Sequence, residues 1–426
     1  MSSDAADVIT LDLTAIAHGG EAFGRHEGKI VFVPYTLPGE RVQARLVEEH
    51  ARWARAELVE VLTADDDRVE PPCPYFGPGL CGGCQWQHIR YERQLVLKQE
   101  IVADQLRRLG HLSDPPVRPT LSVGQPFAYR NHVQFAVHPE GRLGFARAGS
   151  HEIIPIERCL LLHPLLDELF SALQFDEEEP GPTLTEWLQR LSLRAGVTTG
   201  QQLVLFEGRG DEPPELEVDL PVSCVFLARD GRLQPLIGPP YIEEQVAGRV
   251  YRVSATSFFQ VNTAGAEVLV GLVRRYLDPQ PNDTLLDAYC GVGLFGLALS
   301  DQVSHLIGIE ENPYACEDFA WNARDLPPER VTLHEGPAAE VLAALNQPID
   351  LAVVDPPRSG VGQEALRELA RLGPRRIVYV SCDPATLARD VEFLQAGGYE
   401  LVEVQPVDLF PQTFHVESVS LWVRKA

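Results

Sequence analysis

Residues 284–296 read TLLDAYCGVGLFG, an apolar run that enters a turn whose Gly291, Gly293 and Gly296 fit G-x-G-x-x-G. Glycines at this spacing let the backbone approach a nucleotide-like ligand and let the following helix pack close to the strand. An acidic residue ending the next strand binds ribose hydroxyls in such folds, and Glu310 ends HLIGIE. That spacing suits adenosine. Two more apolar runs end on reactive groups: DLAVVDPPRSG (350–360) delivers Asp355 and two prolines, and IVYVSCDP (377–384) stops at Cys382. Open α/β sheets bind ligands at the carboxyl ends of their strands, so these groups should share one edge. Taken alone, Cys382 suits a buried structural thiol as well as a nucleophile.

Working outward, strands are expected at 284–288, 305–310, 330–333, 350–355, 376–381, 401–407 and 417–423, with helical segments between them until the last two. This is the pattern of a doubly wound sheet with an antiparallel final strand. The last of these strands, in TFHVESVSLW, carries Glu417 among Val416, Val419 and Leu421. A carboxylate there is costly to bury unless it is paired or used. Upstream, residues 8–62 alternate short β-rich runs with Gly and Pro turns, which suggests a small closed barrel that could bind RNA, contact protein or act as a spacer.

Between barrel and sheet lies CPYFGPGLCGGCQWQH, with Cys73, Cys81 and Cys84, the last two in C-x-x-C spacing. Thiols so placed point to a metal or cluster site, and the spacing alone does not separate zinc from iron–sulfur. Residues 89–109 carry apolar positions at helical spacing with basic residues between them. The formal net charge of −25 over 426 residues argues against nucleic acid as a partner, since phosphate contacts need Lys and Arg. Between 86 and 150 the balance reverses, with Arg90, Arg93, Lys98, Arg107, Arg108, Arg118, Arg130, Arg142 and Arg147, so a local basic face is expected. Residues 175–221 are acidic and proline-bearing and suggest no function. Eight cysteines are too few and uneven for a secreted disulfide scaffold. No run of about 18 apolar residues and no leader is seen, so a soluble, cytoplasmic protein without membrane contact is expected.

Gly turn, acidic strand end, D-P-P and S-C-D-P together resemble the S-adenosylmethionine-dependent RNA uridine-C5 methyltransferases, in particular the branch with a [4Fe-4S] cluster that modifies 23S ribosomal RNA. The resemblance implies a multidomain chain: a TRAM barrel, oligonucleotide-binding-like, at 1–62; a central α+β iron–sulfur and RNA-binding domain at 63–88 and 119–253; a helical segment at 89–118 packing on the catalytic domain; and a Rossmann-like class I methyltransferase domain at 254–426. It implies cluster ligands Cys73, Cys81, Cys84 and Cys159, the last in the family's Cys-x-x-x-His-Pro context, although seven residues rather than the usual five separate Cys73 from Cys81. It implies Cys382 as nucleophile and Glu417 as base, with Gln260, Tyr289, Glu310 and Asp355 around the cofactor. Phe258 and Phe259 read as core by composition, whereas the family motif SATSFFQVN offers Phe258 as a stacking surface for a flipped base. Arg130, in a Tyr-Arg-Asn motif, suits either an RNA backbone contact or a salt bridge.

The expected partner is RNA rather than DNA, and the expected state a monomer. Transfer RNA is a weaker expectation, because the transfer-RNA branch resembles this chain only in its catalytic part and lacks the barrel and the cysteine cluster. Two further classes compete: a redox protein using the cluster for electron transfer, which leaves Asp355-Pro356-Pro357 and Cys382 unexplained, and a noncatalytic RNA-binding assembly factor, which would not need the Cys382 thiol.

Overall fold

Val8–Ile16 (β1) alternates exposed and buried residues along its length, the period of a strand with one wet face. With Ala22–His26 (β2), Lys29–Val33 (β3), Arg41–Glu49 (β4) and Trp53–Thr63 (β5) it closes a barrel in the order β1-β2-β3-β5-β4, around Leu11, Leu13, Val31 and Val42. Closure removes the free edges that an open five-stranded sheet would present. The chain is seen in a computed structural model that describes residues 8–175, 183–213 and 215–425. After the barrel come the cysteine segment, the helix Tyr91–Arg108 (α1) and the short strand Leu121–Ser122 (β6).

A second sheet follows, built from His132–Val137 (β7), Leu143–Ala146 (β8), Ile153–Pro155 (β9), Leu188–Ala195 (β10), Gln202–Gly208 (β11), Ser223–Leu227 (β12) and Leu233–Ile237 (β13) in the order β13-β12-β11-β10-β7-β8-β9. Pro164–Ala172 (α2) and Leu184–Trp187 (α3) pack on β10. The acidic stretch 175–221 thus supplies β10 and β11 to the interior of this sheet, while its residues 176–182 and 214 lie outside the described residues. A hairpin, Tyr241–Val246 (β14) and Arg249–Ser254 (β15), leads into the carboxyl-terminal unit.

That unit runs Thr263–Leu277 (α4), Thr284–Ala288 (β16), Leu294–Leu299 (α5), His305–Glu310 (β17), Pro313–Asn322 (α6), Val331–Glu335 (β18), Ala338–Ala344 (α7), Leu351–Val354 (β19), Gln363–Leu372 (α8), Arg376–Ser381 (β20), Pro384–Ala396 (α9), Tyr399–Asp408 (β21) and Glu417–Arg424 (β22). The strand order is β18-β17-β16-β19-β20-β22-β21-β6, and every strand expected from the sequence is present within two residues of its predicted ends. All of β19 is buried, as a parallel strand covered by helices on both faces must be. The order reverses between β16 and β19, which opens a crevice at their carboxyl ends. β22 runs antiparallel between β20 and β21, pairing Ser381 with Ser418.

Helix α1 packs on α9 and β21. Its Lys98, expected on a solvated basic face, is fully buried and bonded to Asp408 and to the Phe410 carbonyl. The local basic face does not form as expected. Arg90, Arg93, Arg108, Arg118, Arg142 and Arg147 are ion-paired with Asp67, Glu100, Asp104, Glu403, Glu140 and Glu152, and only Arg107 and Arg130 of the nine lack a carboxylate partner among the described residues. No helix among the described residues is long and apolar enough to cross a membrane.

Removing one member of a buried pair leaves an uncompensated charge, at a cost of roughly 3–5 kcal/mol. Lys98→Met should therefore lower the chemical-denaturation midpoint sharply, and Lys98→Met/Asp408→Leu should recover most of the loss.

Candidate active site

Burial and turn chemistry build the site at the crevice. Gly291 and Gly293 adopt φ of +53° and +96°, the left-handed region that a Cβ penalises. A Cβ on Gly291 would meet nothing within 4 Å, whereas one on Gly296 would strike Asp287 and Leu306 at 2.7 Å. The first glycine therefore opens onto free space and the last lets α5 lie against the sheet. Glu310, at the end of β17, takes the Gly291 N–H on Oε2 at 2.8 Å and the N–H groups of Glu311 and Asn312 on Oε1 at 3.0 and 2.8 Å. The carboxylate is fixed facing the Gly turn with lone pairs left for hydroxyls.

Gln260, Tyr289, Glu310, Asp355, Cys382 and Glu417 all line one cavity of about 580 Å³. The structure brings together every sequence-predicted catalytic and cofactor residue. Gln260 Nε2 donates to Asp355 Oδ2 at 3.4 Å, and the Tyr289 hydroxyl donates to the Val361 carbonyl at 3.0 Å. Cys382 follows the last residue of β20 and Glu417 is the first of β22, so the Ser381–Ser418 pairing sets them side by side. Glu417 is buried, and its Oε1 has no protein partner. The two phenylalanines part company: Phe259 is 6% exposed in the core, and Phe258 is 66% exposed on the cavity wall.

Burial raises three of the acids that line this cavity. Burial pushes the Cys382 thiol up to about 12, reinforced by the nearby Glu417 and Asp355 carboxylates. Burial also raises Asp355 to about 7 and Glu417 well above the usual carboxylate range, with the Asp355 charge adding to the latter. His415 is pushed down to about 4, first by burial and then by neighbouring cations, and is neutral at pH 7. Three residues of this wall were not singled out from the sequence: Phe410, His415 and Arg358. Arg358 is exposed with no carboxylate partner among the described residues, and its charge favours the ionised forms of Cys382 and Glu417. Its position directly after Asp355-Pro356-Pro357 was the available signal.

A second cavity, of about 350 Å³, is lined by Cys73, Cys81, Cys84 and Cys159 together. The two-residue expansion between Cys73 and Cys81 does not remove Cys73 from this group. Burial pushes Cys84 up to about 12 and raises Cys81 and Cys159. Arg130 lines the same cavity, with its Nε sealed from solvent and unpartnered, and the salt bridge suggested by the sequence is not seen among the described residues. Among the described residues no three His, Cys, Asp or Glu side chains stand close enough to hold a single metal ion.

The amino-terminal residues 6–59 match the TRAM domain model, and residues 341–425 match that of tRNA (Uracil-5-)-methyltransferase. An uncharacterized RNA methyltransferase of Streptomyces avermitilis is 41% identical over 96% of this chain and 97% of its own length. One from Thermosynechococcus vestitus is 35% identical over 97% of each. The crystal structure of Pyrococcus abyssi tRNA (uracil-54, C5)-methyltransferase with S-adenosyl-L-homocysteine aligns at a TM-score of 0.78 and 26% identity, over 97% of this chain and 100% of that one. The chain belongs to the RNA (uracil-C5)-methyltransferase family. As a member of it, the protein is an enzyme that methylates RNA, with a TRAM barrel at its amino end.

Only the thiolate of Cys382 reacts with alkylating agents. Alkylation by iodoacetamide, followed by peptide mapping, should be slow at pH 7 and rise about tenfold per pH unit towards pH 9. Asp355→Asn removes a charge that raises this thiol, so at pH 8 it should alkylate faster than the parent.

Proposed function

We propose that the protein methylates C5 of a uridine in 23S ribosomal RNA through a covalent bond between Cys382 and C6 of the base. The observation that carries this reading is that Cys382 and Glu417, set side by side by the Ser381–Ser418 pairing, line the same cavity as Glu310 and the Gly turn. C5 of uracil is too weak a nucleophile to take a methyl group directly. Addition of the Cys382 thiolate at C6 forms an S–C6 bond and makes C5 carbanion-like. S-adenosylmethionine, when bound, supplies an electrophilic methyl on a cationic sulfonium, whose charge favours the ionised forms of the surrounding acids. Once the methyl is bonded to C5 and the donor has been left as a neutral thioether, Glu417 in its carboxylate form takes the C5 proton, and elimination breaks the S–C6 bond and restores the thiolate. A base in this position contributes about 10²- to 10⁴-fold.

Glu310 would hold the ribose hydroxyls, Tyr289 would pack beside the adenosine, and Gln260 and Asp355 would lie between cofactor and target base. C5 and C6 are inaccessible in a stacked base, so the uridine must be flipped or in a loop, and Phe258 offers the exposed face on which an unpaired base stacks.

The four-cysteine cavity fits a [4Fe-4S] cluster held by Cys73, Cys81, Cys84 and Cys159. Thiols raised by burial need a strong cationic centre to ionise. The same four thiolates would also serve as ligands of zinc. Arg130 would balance the anionic thiolates.

The ribosomal target rests on the resemblance of the cysteine segment. Transfer RNA is the second reading, favoured by the structural neighbour whose title names that substrate: the alignment spans 97% of this chain, so barrel and cysteine segment do not separate the two substrates.

The test is nucleoside mass spectrometry on unmodified ribosomal and transfer RNA incubated with labelled S-adenosylmethionine. Label should enter 5-methyluridine of ribosomal RNA. Cys382→Ala should abolish it, and Glu417→Gln should leave a protein–RNA adduct that survives denaturing electrophoresis. Label in transfer RNA alone would move the assignment to the second reading.

A further inference from the structure

The segment between β21 and β22 carries Phe410 and His415 to the cavity wall and ends on Glu417. Its backbone is not held by its own sheet. Four consecutive carbonyls are each taken by a group from elsewhere in the chain: Leu409 by Asn262 Nδ2 at 3.3 Å, Phe410 by Lys98 Nζ at 3.1 Å, Pro411 by the Tyr129 hydroxyl at 3.2 Å, and Gln412 by the backbone N–H groups of Gln85 and Trp86 at 3.1 and 3.0 Å. Gln85 and Trp86 directly follow Cys84. The Gln412 N–H donates to Gln94 Oε1 at 3.0 Å, and Gln94 Nε2 donates back to Gln412 Oε1 at 3.0 Å.

Gln412 is also 4% exposed and held at φ +70°. A side chain stays in that sparsely populated region only where its surroundings over-determine it. Here the surroundings are α1 and the cysteine segment.

We infer that Gln412 is a positioning residue: clamped by Gln94 and by the backbone that follows Cys84, it sets the 409–416 segment so that Glu417 reaches the C5 proton. The inference rests on the base role proposed for Glu417. It gives the cysteine segment a task in catalysis, since the backbone that places Cys84 in its cavity also fixes the segment leading to the base. Proton removal follows methyl transfer, so a displaced base stalls the reaction at the Cys382–C6 bond, whereas a general folding defect abolishes the adduct together with the product.

The experiment uses the full-length protein as purified, with Gln94→Met and Gln412→Gly, and Glu417→Gln as reference. Gln94→Met keeps the length of the side chain and deletes every bond it makes to Gln412; Gln412→Gly keeps the left-handed backbone and deletes the side chain. Both should lower kcat by roughly tenfold or more, leave KM for S-adenosylmethionine within about twofold, and raise the denaturation-resistant RNA adduct several-fold. Hydrogen exchange should quicken at amides 409–416 and stay unchanged in β20. Normal turnover overturns the inference, as does lost turnover without adduct while Glu417→Gln accumulates it. If Glu417→Gln traps no adduct, the base assignment fails by itself and exchange decides: unchanged protection at 409–416 in Gln94→Met overturns the clamp, and lost protection confined to that segment upholds it.

Discussion

Insertion of an antiparallel strand beside β20 is the constraint from which the active site follows. In a wholly parallel sheet every carboxyl end lies at one edge and every amino end at the other, so the first residue of one strand cannot meet the residue after another. Because β22 runs backwards next to β20, the start of one abuts the end of the other, and Ser381 pairs with Ser418. That register alone sets the thiol of Cys382 beside the carboxyl of Glu417. Strand-order reversal between β16 and β19 then supplies the adenosine crevice at the same edge. Topology thus puts the residue after β20, the first residue of β22 and the Gly turn together before any side chain is chosen, and the connection entering β22 becomes the element whose placement matters most.

Electrostatics works against these groups until the cavity fills. Three acids share a buried space: Cys382 is raised to about 12, Asp355 to about 7, and Glu417 well above its usual range. Each would raise the others further if ionised, so the empty cavity favours protons over charge. A cationic ligand reverses this balance for all three at once. Arg358 supplies a permanent bias toward thiolate and carboxylate.

Much of this was legible in the sequence because it obeys short-range rules. Each apolar run ended on its reactive group, so Glu310, Asp355 and Cys382 could be placed at the edge without knowing the fold, and the burial of Glu417 followed from its apolar neighbours. What was hidden depends on contacts between distant segments. Lys98 reads as one more cation on an amphipathic helix, and only its meeting with Asp408, 310 residues away, makes it a core residue. Arg130 likewise reads as a surface cation until the strand that follows it turns its side chain toward the cysteines. Phe258 and Phe259 are adjacent and chemically identical, and only the turn they occupy sends one into the core and the other to the cavity wall.

The charge of the chain points to how RNA is recognised. Seven of the nine basic residues between 86 and 150 are already matched to carboxylates of the same molecule, so releasing them to phosphates would leave those carboxylates unpaired. Affinity built from counterion release needs free cations in number, and this region offers few. Near the reaction centre the resources are different: an exposed Phe258, a neutral His415 and one unpaired Arg358 line the cavity. Stacking on a flat ring and burial of a flipped base act without net charge and discriminate by whether a base can leave its helix. In a protein of net charge −25, such contacts at the cavity do not depend on free cations between 86 and 150.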